Sequence, residues 1–326
     1  MKTSLTRVAL VTSAVLVVLL GCSKKGNGPV QPKPFNEVRL EFFSAQPLAG
    51  GFSYEMWAKP VDTSLSAAVD WTRLTRFNFN SSGAVLDSNG ALVSGGIVRN
   101  LPVDLDAIDS LEITIEQTSA HSTIPSQTIY LQGRVPPNLD SARIAALEFS
   151  VPSINYADGF CYLGTPTDSD TSDDLSGVWF ILRQPAGPSD SGLIIPPAPT
   201  GWMYAGWVSH HGVWLPTGKF RRATGADLAN PYSSTLVAAP DFPGEDFLRN
   251  APTGIDFTFP FALTVGDGVK VTLQPDPDPG TGPFGVTLLA YQFPSEPVPL
   301  SFLQMSNESE ATKPSGTVTI YRAGTN

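Results

Sequence analysis

The chain has 326 residues, of which 30 are acidic and 20 basic, and a formal charge of −10. That balance argues against nucleic acid as a partner, because phosphates demand a basic face. Two cysteines and three histidines leave little material for thiol or metal chemistry, and 30 prolines with 29 glycines interrupt the chain too often for long helices.

Met1 to Arg7 carries the positive side chains Lys2 and Arg7, and Val8 to Leu20 follows as an uncharged, mostly apolar run of 13 residues. This is the layout of a signal peptide. A permanent span needs about 20 apolar residues. The run ends in Leu19-Leu20-Gly21-Cys22, which resembles the lipobox of bacterial lipoproteins. The resemblance implies that the Cys22 thiol receives a diacylglycerol, that the leader is cut after Gly21, and that the new amino group is acylated. Two or three acyl chains make a stable anchor, since each buried CH₂ contributes about 0.8 kcal/mol. The alternatives are an ordinary signal peptide with an incidental cysteine, or an uncleaved anchor. Ser23 stands where an aspartate retains lipoproteins at the inner membrane of enteric-type bacteria, so an outer-membrane destination is expected if the cell has one. Residues 22–36 then read as the lipidated cysteine and a flexible tether, with Lys24, Lys25, Gly26, Gly28, Pro29, Pro32 and Pro34 offering little to pack. Without residues 1–21 the charge becomes −12, from 18 basic and 30 acidic residues.

Beyond the tether, Val, Ile, Thr, Phe and Tyr dominate between the breaks, so the fold class is all-β. The strand candidates in chain order are Val38–Ser44, Phe52–Lys59, Thr72–Asn80, Leu111–Glu116, Thr128–Val135, Ala145–Val151, Val178–Arg183, Met203–Ser209, Val213–Phe220, Val269–Gln274, Gly285–Phe293, Leu300–Met305 and Thr317–Arg322. Alternation is clearest in Leu111-Glu-Ile-Thr-Ile-Glu116, which predicts Leu111, Ile113 and Ile115 on a buried face and Glu112, Thr114 and Glu116 on a polar one.

Two stretches repeat in order. Tyr54-Glu-Met-Trp57, Trp71, Phe77, Leu111-Glu-Ile-Thr-Ile-Glu116 and Thr128-Ile-Tyr-Leu131 are matched by Tyr204-Ala-Gly-Trp207, Trp214, Phe220, Val269-Lys-Val-Thr-Leu-Gln274 and Val286-Thr-Leu-Leu289. The offset is 150 residues at the Tyr-x-x-Trp element and 158 at the later strand. A period that long indicates duplicated domains, because solenoid repeats run about 20–50 residues.

This order is similar to the extracytoplasmic C-terminal domain of the anti-sigma-K factor family, which has a Tyr-x-x-Trp strand, a Gly-x-Phe strand and a Val-x-Val-Thr-Leu-Glu-Pro-type strand. The likeness covers about Val38–Val135 and, more loosely, Val178–Phe293. It implies two tandem antiparallel β-sandwich units of Ig-like size, expected at residues 37–136 and 141–293, with 294–326 completing the second. Family members also carry a sigma-binding helical domain and a spanning helix, and nothing before residue 38 supplies either. The resemblance therefore implies the fold and not sigma-factor inhibition, and it brings no catalytic residues.

The remaining candidates are sparse. Cys161, beside Phe160 and Tyr162, reads as a small buried residue. His210 and His211 sit in Ser209-His-His-Gly212, which reads as a solvated hairpin turn whose two imidazoles would point to opposite faces. His121 stands alone. The acidic run containing Asp168, Asp170, Asp173 and Asp174 offers oxygens to calcium but lacks the glycine and glutamate of an EF-hand loop, and reads as solvated and disordered. No Gly-x-Ser-x-Gly elbow or phosphate loop occurs, and Glu112 and Glu116 read as one polar strand face rather than a glycosidase pair. Trp202, Tyr204, Trp207 and Trp214 form the densest aromatic set, either sandwich core or a ligand platform. The expectation is a non-enzymatic, cofactor-free, lipid-anchored protein that binds or scaffolds an envelope protein or glycan. The alternatives are a glycan or cell-wall-polymer binding module and an anti-sigma-related signalling component.

Overall fold

Stretches rich in aromatic and β-branched residues fold as strands wherever the glycine and proline breaks leave room. The computed structural model describes residues 33–61, 71–120, 122–137, 142–182 and 189–325. The expected cleavage and lipidation residues, Gly21 and Cys22, and His121 lie outside the described residues. The first half contributes β1 (Phe35–Phe43), β2 (Phe52–Pro60), β3 (Thr72–Phe79), β4 (Val85–Asp87), β5 (Ile97–Val98), β6 (Ile108–Gln117), β7 (Ile129–Arg134) and β8 (Arg143–Phe149). The second contributes β9 (Asp158–Leu163), β10 (Gly177–Trp179), β11 (Ile181–Leu182), β12 (Asp190–Ser191), β13 (Leu193–Ile194), β14 (Trp202–His210), β15 (Val213–Phe220), β16 (Gly244–Asp246), β17 (Gly268–Pro275), β18 (Val286–Gln292), β19 (Phe302–Gln304), β20 (Ser306–Asn307), the one-turn helix α1 (Ser309–Thr312) and β21 (Ser315–Arg322). The fold is all-β and antiparallel. Among the described residues no helix is long and apolar enough to cross a membrane.

The large sheet runs β4-β3-β2-β6-β7-β8-β21-β1-β5, and a second runs β15-β14-β17-β18-β20. A small sheet, β13-β9-β10-β16, also pairs β19 with β9. The large sheet curls, so that Phe42 of β1 stacks on Phe77 of β3 at 5.7 Å and meets Phe79 edge-on at 5.3 Å. The core passes from the large sheet into the second: Tyr130 of β7 packs on Phe284, and Phe149 of β8 packs edge-on against Trp202 of β14 at 5.4 Å. Central strands are buried on both faces, and β14 is buried at every position. That explains its composition, Trp-Met-Tyr-Ala-Gly-Trp-Val, and the need for Gly206, where a Cβ would meet Thr217 and the Phe180 ring.

The sheet order departs from the expected unit boundaries. β8, expected in the second unit, pairs with β7 and β21, and β21 pairs with β1, so the last strand closes the first sheet instead of completing the second. Of the described strands after residue 293, β19 and β20 pair within the later half and β21 does not. From Pro34 onward the chain forms one compact unit.

The matched stretches occupy matched places. β3-β2-β6-β7 and β15-β14-β17-β18 lie in the same order. The β2–β3 register shifts between Met56 and Trp57, and the β14–β15 register between Gly206 and Trp207, at an offset of 150. The β6–β7 register shifts between Ile113 and Thr114, and the β17–β18 register between Val271 and Thr272, at 158. Bulges re-aim side chains and set twist, so their coincidence matters more than shared strand composition. Tyr54 Oη donates to Gln46 O and Tyr204 Oη to Pro196 O, each at 2.9 Å and each eight residues back. The carbonyls of Gly51 and Gly201 accept from the backbone N–H of Thr118 and Asp276, both at 2.8 Å.

Candidate functional site

The register of the second sheet lays out a groove on its outer face. Ser209 of β14 pairs with Trp214 of β15 on one side and Gly268 of β17 on the other, and Gly268 pairs with Gln292 of β18. In the next row Trp207 pairs with Lys270, Lys270 with Ala290, and Ala290 with Ser306. Small residues at 209 and 268 leave space beside the indole of Trp214. A Cβ at Gly268 would sit 3.8 Å from that ring. The Lys270 ammonium lies 3.8 Å from the Trp214 ring centroid, a cation–π contact. Burial holds the Lys270 amine below its ordinary range.

These side chains, with Tyr291 and Gln304, line an open groove of about 620 Å³. That volume falls within the roughly 300–1,000 Å³ of small-molecule sites. Trp214 is partly exposed, whereas Trp202, Tyr204 and Trp207 are at most 2% exposed. Of the four aromatic candidates, therefore, Trp202 and Tyr204 sit in the core, Trp207 is buried beneath the outer face, and Trp214 alone reaches the groove. The Trp207 indole donates to Thr272 Oγ1 at 2.9 Å, which satisfies its polar edge without a ligand.

The large sheet carries a groove in the corresponding place, lined by Lys59, Ser110, Glu112, Gln132, Arg134 and Glu148 and enclosing about 600 Å³. Its rows are Lys59-Ser110-Arg134 and Trp57-Glu112-Gln132-Glu148, against Ser209-Gly268-Gln292 and Trp207-Lys270-Ala290-Ser306 in the second sheet. Trp71 corresponds to Trp214, and Lys59 lies 5.9 Å from its ring centroid. The backbone frame is shared and the lining is not.

No family model, curated protein or solved structure matches this chain. Its site therefore has to be read from its own side chains.

The Asp168–Asp174 run is folded, which corrects the expectation of a disordered loop. Asp170 caps the 3₁₀ turn Thr171–Ser176 by accepting from the Ser172 N–H, and Asp168 accepts from the Asp170 N–H. Thr165 Oγ1 donates to Asp173 at 2.9 Å and to Asp174 at 3.2 Å. Capping, local hydrogen bonds and the Thr165 hydroxyl use these carboxylates to build the turn. Among the described residues no three His, Cys, Asp or Glu side chains converge as metal ligands.

The histidine pair also differs from its expectation. The hairpin turn is His211-Gly212, both at positive φ, as a type I′ turn requires. His210 ends β14, is buried, and its Nδ1 lies 2.7 Å from Asp267 Oδ2. Rather than diverging, the two imidazoles stack at 4.2 Å, and the His210 ring also stacks on Phe261 at 4.5 Å.

Glu116 departs from the expected solvated face: it is 5% exposed and accepts from Thr114 Oγ1 at 2.5 Å and from the Ser126 N–H at 2.7 Å. Cys161 is fully buried, and burial pushes its thiol up to about 12.

Sequence reasoning missed a second set of carboxylates around β16. Asp246 accepts from Thr167 N, Thr167 Oγ1 and Trp179 Nε1, and Glu245 accepts from Ser233 Oγ while its other oxygen has no partner. Burial raises Glu245 to about 8, Asp227 to about 7 and Asp246 to about 6. Gly244-Glu-Asp246 is too short and too acidic to announce itself as a buried strand. None of these three carboxylates lines either groove.

Proposed function

We propose that this chain is an exported lipoprotein, anchored by lipid on Cys22, whose β domain binds a ligand at the cell envelope without turning it over. The anchor is supported by the leader's charge, its short apolar run and Leu19-Leu20-Gly21-Cys22. Ser23 favours the outer membrane in a cell that has one. One observation carries the binding role: at matched positions of the two sheets, the second groove has Ser209, Gln292 and Ser306 where the first has Lys59, Arg134 and Glu148, and these neutral side chains lie beside the partly exposed Trp214. A position that needed only to fold has no reason to differ so consistently between two frames sharing order, bulges and hydrogen bonds. We further propose that the two four-stranded sets are copies of one duplicated unit, fused through a common core and closed by the C-terminal strand.

The anchor is tested by growing cells expressing the chain with a labelled fatty acid. Wild type incorporates label and partitions with membranes, and Cys22→Ala does neither. Label persisting in Cys22→Ala would refute the assignment.

A further inference from the structure

We infer that the groove over β17 and β18 is a saccharide subsite that takes an uncharged sugar chain, with Trp214 as its stacking surface. This deepens the binding role proposed above and rests on it. Three observations point to that chemistry. The groove is open along a sheet face, with lining residues from β14, β15, β17 and β18, so it admits a chain laid on the surface. Its edge at β18 is interrupted by β20, which pairs Leu289 and Ala290 at the middle of the strand and leaves an extended peptide no continuous run there to add to. Partly exposed rings, Trp214 and Tyr291, stand beside the amides of Gln292 and Gln304 and the hydroxyl of Ser306. Sugars offer that pairing of faces: apolar C–H patches for rings, and hydroxyls that both donate to and accept from amides.

The counterpart groove serves as an internal control on charge. Lys59, Glu112, Arg134 and Glu148 occupy the positions of Ser209, Lys270, Gln292 and Ser306, so four charged residues face one. That one, Lys270, already lies on the Trp214 ring, and Glu308 in the same groove offsets its charge. No net positive field remains to select an anionic ligand. An acyl chain would instead take water from the amide oxygens of Gln292 and Gln304, whose Nε2 atoms already donate to Gly266 O and Asp158 Oδ1, and return no hydrogen bond to them.

The test uses the full chain with defined soluble probes: cello-, malto- and chito-hexaose, followed by tryptophan fluorescence and titration calorimetry. At least one series binds wild type, and Trp214→Ala weakens that binding about tenfold or more, the loss expected of a central aromatic anchor. Trp71→Ala, at the matched position beside Lys59 of the large sheet, leaves binding within about twofold. Because truncation at Trp214 removes packing as well as a surface, a second variant keeps the test decisive. Gln292→Arg with Lys270→Glu installs two of the first groove's charges, those of Arg134 and Glu112, at groove-lining positions in the two rows and abolishes binding while the near-ultraviolet circular dichroism is retained. The inference is overturned if none of the three series binds wild type, if Trp214→Ala binds as wild type does, or if Trp71→Ala loses as much. Fatty-acid labelling is read independently, so an anchored protein that ignores all three sugars refutes the saccharide subsite and leaves the anchor standing.

Discussion

Trp57 and Trp207 hold their indoles in the same way, 150 residues apart: Trp57 Nε1 donates to Thr114 Oγ1 at 3.0 Å and Trp207 Nε1 to Thr272 Oγ1 at 2.9 Å. Both rings are buried, and both threonines sit at a register shift in the next pairing. The residue two places on differs. Glu116 accepts from Thr114 Oγ1, whereas Gln274 Nε2 donates to Thr272 Oγ1 at 3.0 Å. A threonine hydroxyl at each place thus anchors a differently charged network.

Thr114→Val and Thr272→Val preserve shape but remove the acceptor and strand a buried indole N–H. Each is expected to cost about 1–3 kcal/mol in urea unfolding, the penalty for an unmade buried hydrogen bond, with serine at either position recovering most of it. Valine variants as stable as wild type would show that the indoles find another partner.

The two glycines that open β2 and β14 separate backbone strain from collision. Gly51 and Gly201 have φ of +94° and +82°, but a Cβ at Gly51 meets nothing within 4 Å, whereas one at Gly201 would lie 2.4 Å from Gln127 O. Gly51→Ala is expected to cost only the left-handed conformation, about 1–2 kcal/mol. Gly201→Ala adds displacement of the loop before β7 and is expected to cost about 3 kcal/mol or more. Equal midpoints for the two variants would mean that the contact relaxes freely.

These comparisons show which features were written locally. β14 and β15 were legible because a Tyr-x-x-Trp run followed by alternating residues has few other readings, and the strand Val213–Phe220 was placed to the residue. The shared order of the two four-stranded sets was legible because the Tyr-x-x-Trp element and the later alternating strand recur in the same sequence order, and the register shifts fall beside Trp57 and Trp207 and at Thr114 and Thr272. What pairs across great distance left no local trace. β21 meets β1 with Glu41 opposite Thr317, and no periodicity in either strand names its partner. Burial of polar groups was equally silent: Thr114 and Glu116 alternate as a solvated face would, and nothing local announces that the Trp57 indole meets Thr114 or that the Ser126 backbone meets Glu116. His210 was misplaced because the turn was assigned to the pair instead of to His211-Gly212, and nothing near it announced that Phe257–Phe261 would fold back over its ring.

Cys161 gives a simple probe of integrity. Its thiol is pushed up to about 12 by complete burial, with Sγ against Leu303 O. With Cys22 acylated, the native protein is expected to give no reaction with a thiol reagent at pH 8 and one equivalent after denaturation. Prompt native labelling would place β9 and β19 in an opening equilibrium.

The carboxylates around β16 predict how stability depends on pH. Glu245 is raised from 4.5 to about 8, chiefly by burial, with Asp227 adding like charge and the Ser233 hydroxyl opposing. Between those two values the folded state holds a proton that the unfolded state has lost. Stability from this group is therefore complete below about pH 4.5 and falls as pH rises toward 8, by about 1.4 kcal/mol per unit at most. Glu245→Gln keeps an acceptor for Ser233 and cannot ionise. Relative to wild type it is expected to change little at pH 4.5 and to gain progressively in urea midpoint up to pH 8, after which the difference levels off. Asp227, raised to about 7 beside it, limits the size of the gain, because either group when neutral spares the other a like charge. Asp246 is expected to behave otherwise: its carboxylate accepts from Thr167 and Trp179, so Asp246→Asn orphans donors and destabilises across the whole range. A Glu245→Gln difference that stayed constant from pH 4.5 to 8 would show that Glu245 ionises as in water, and the unpartnered oxygen would then need a cation or proton donor of its own.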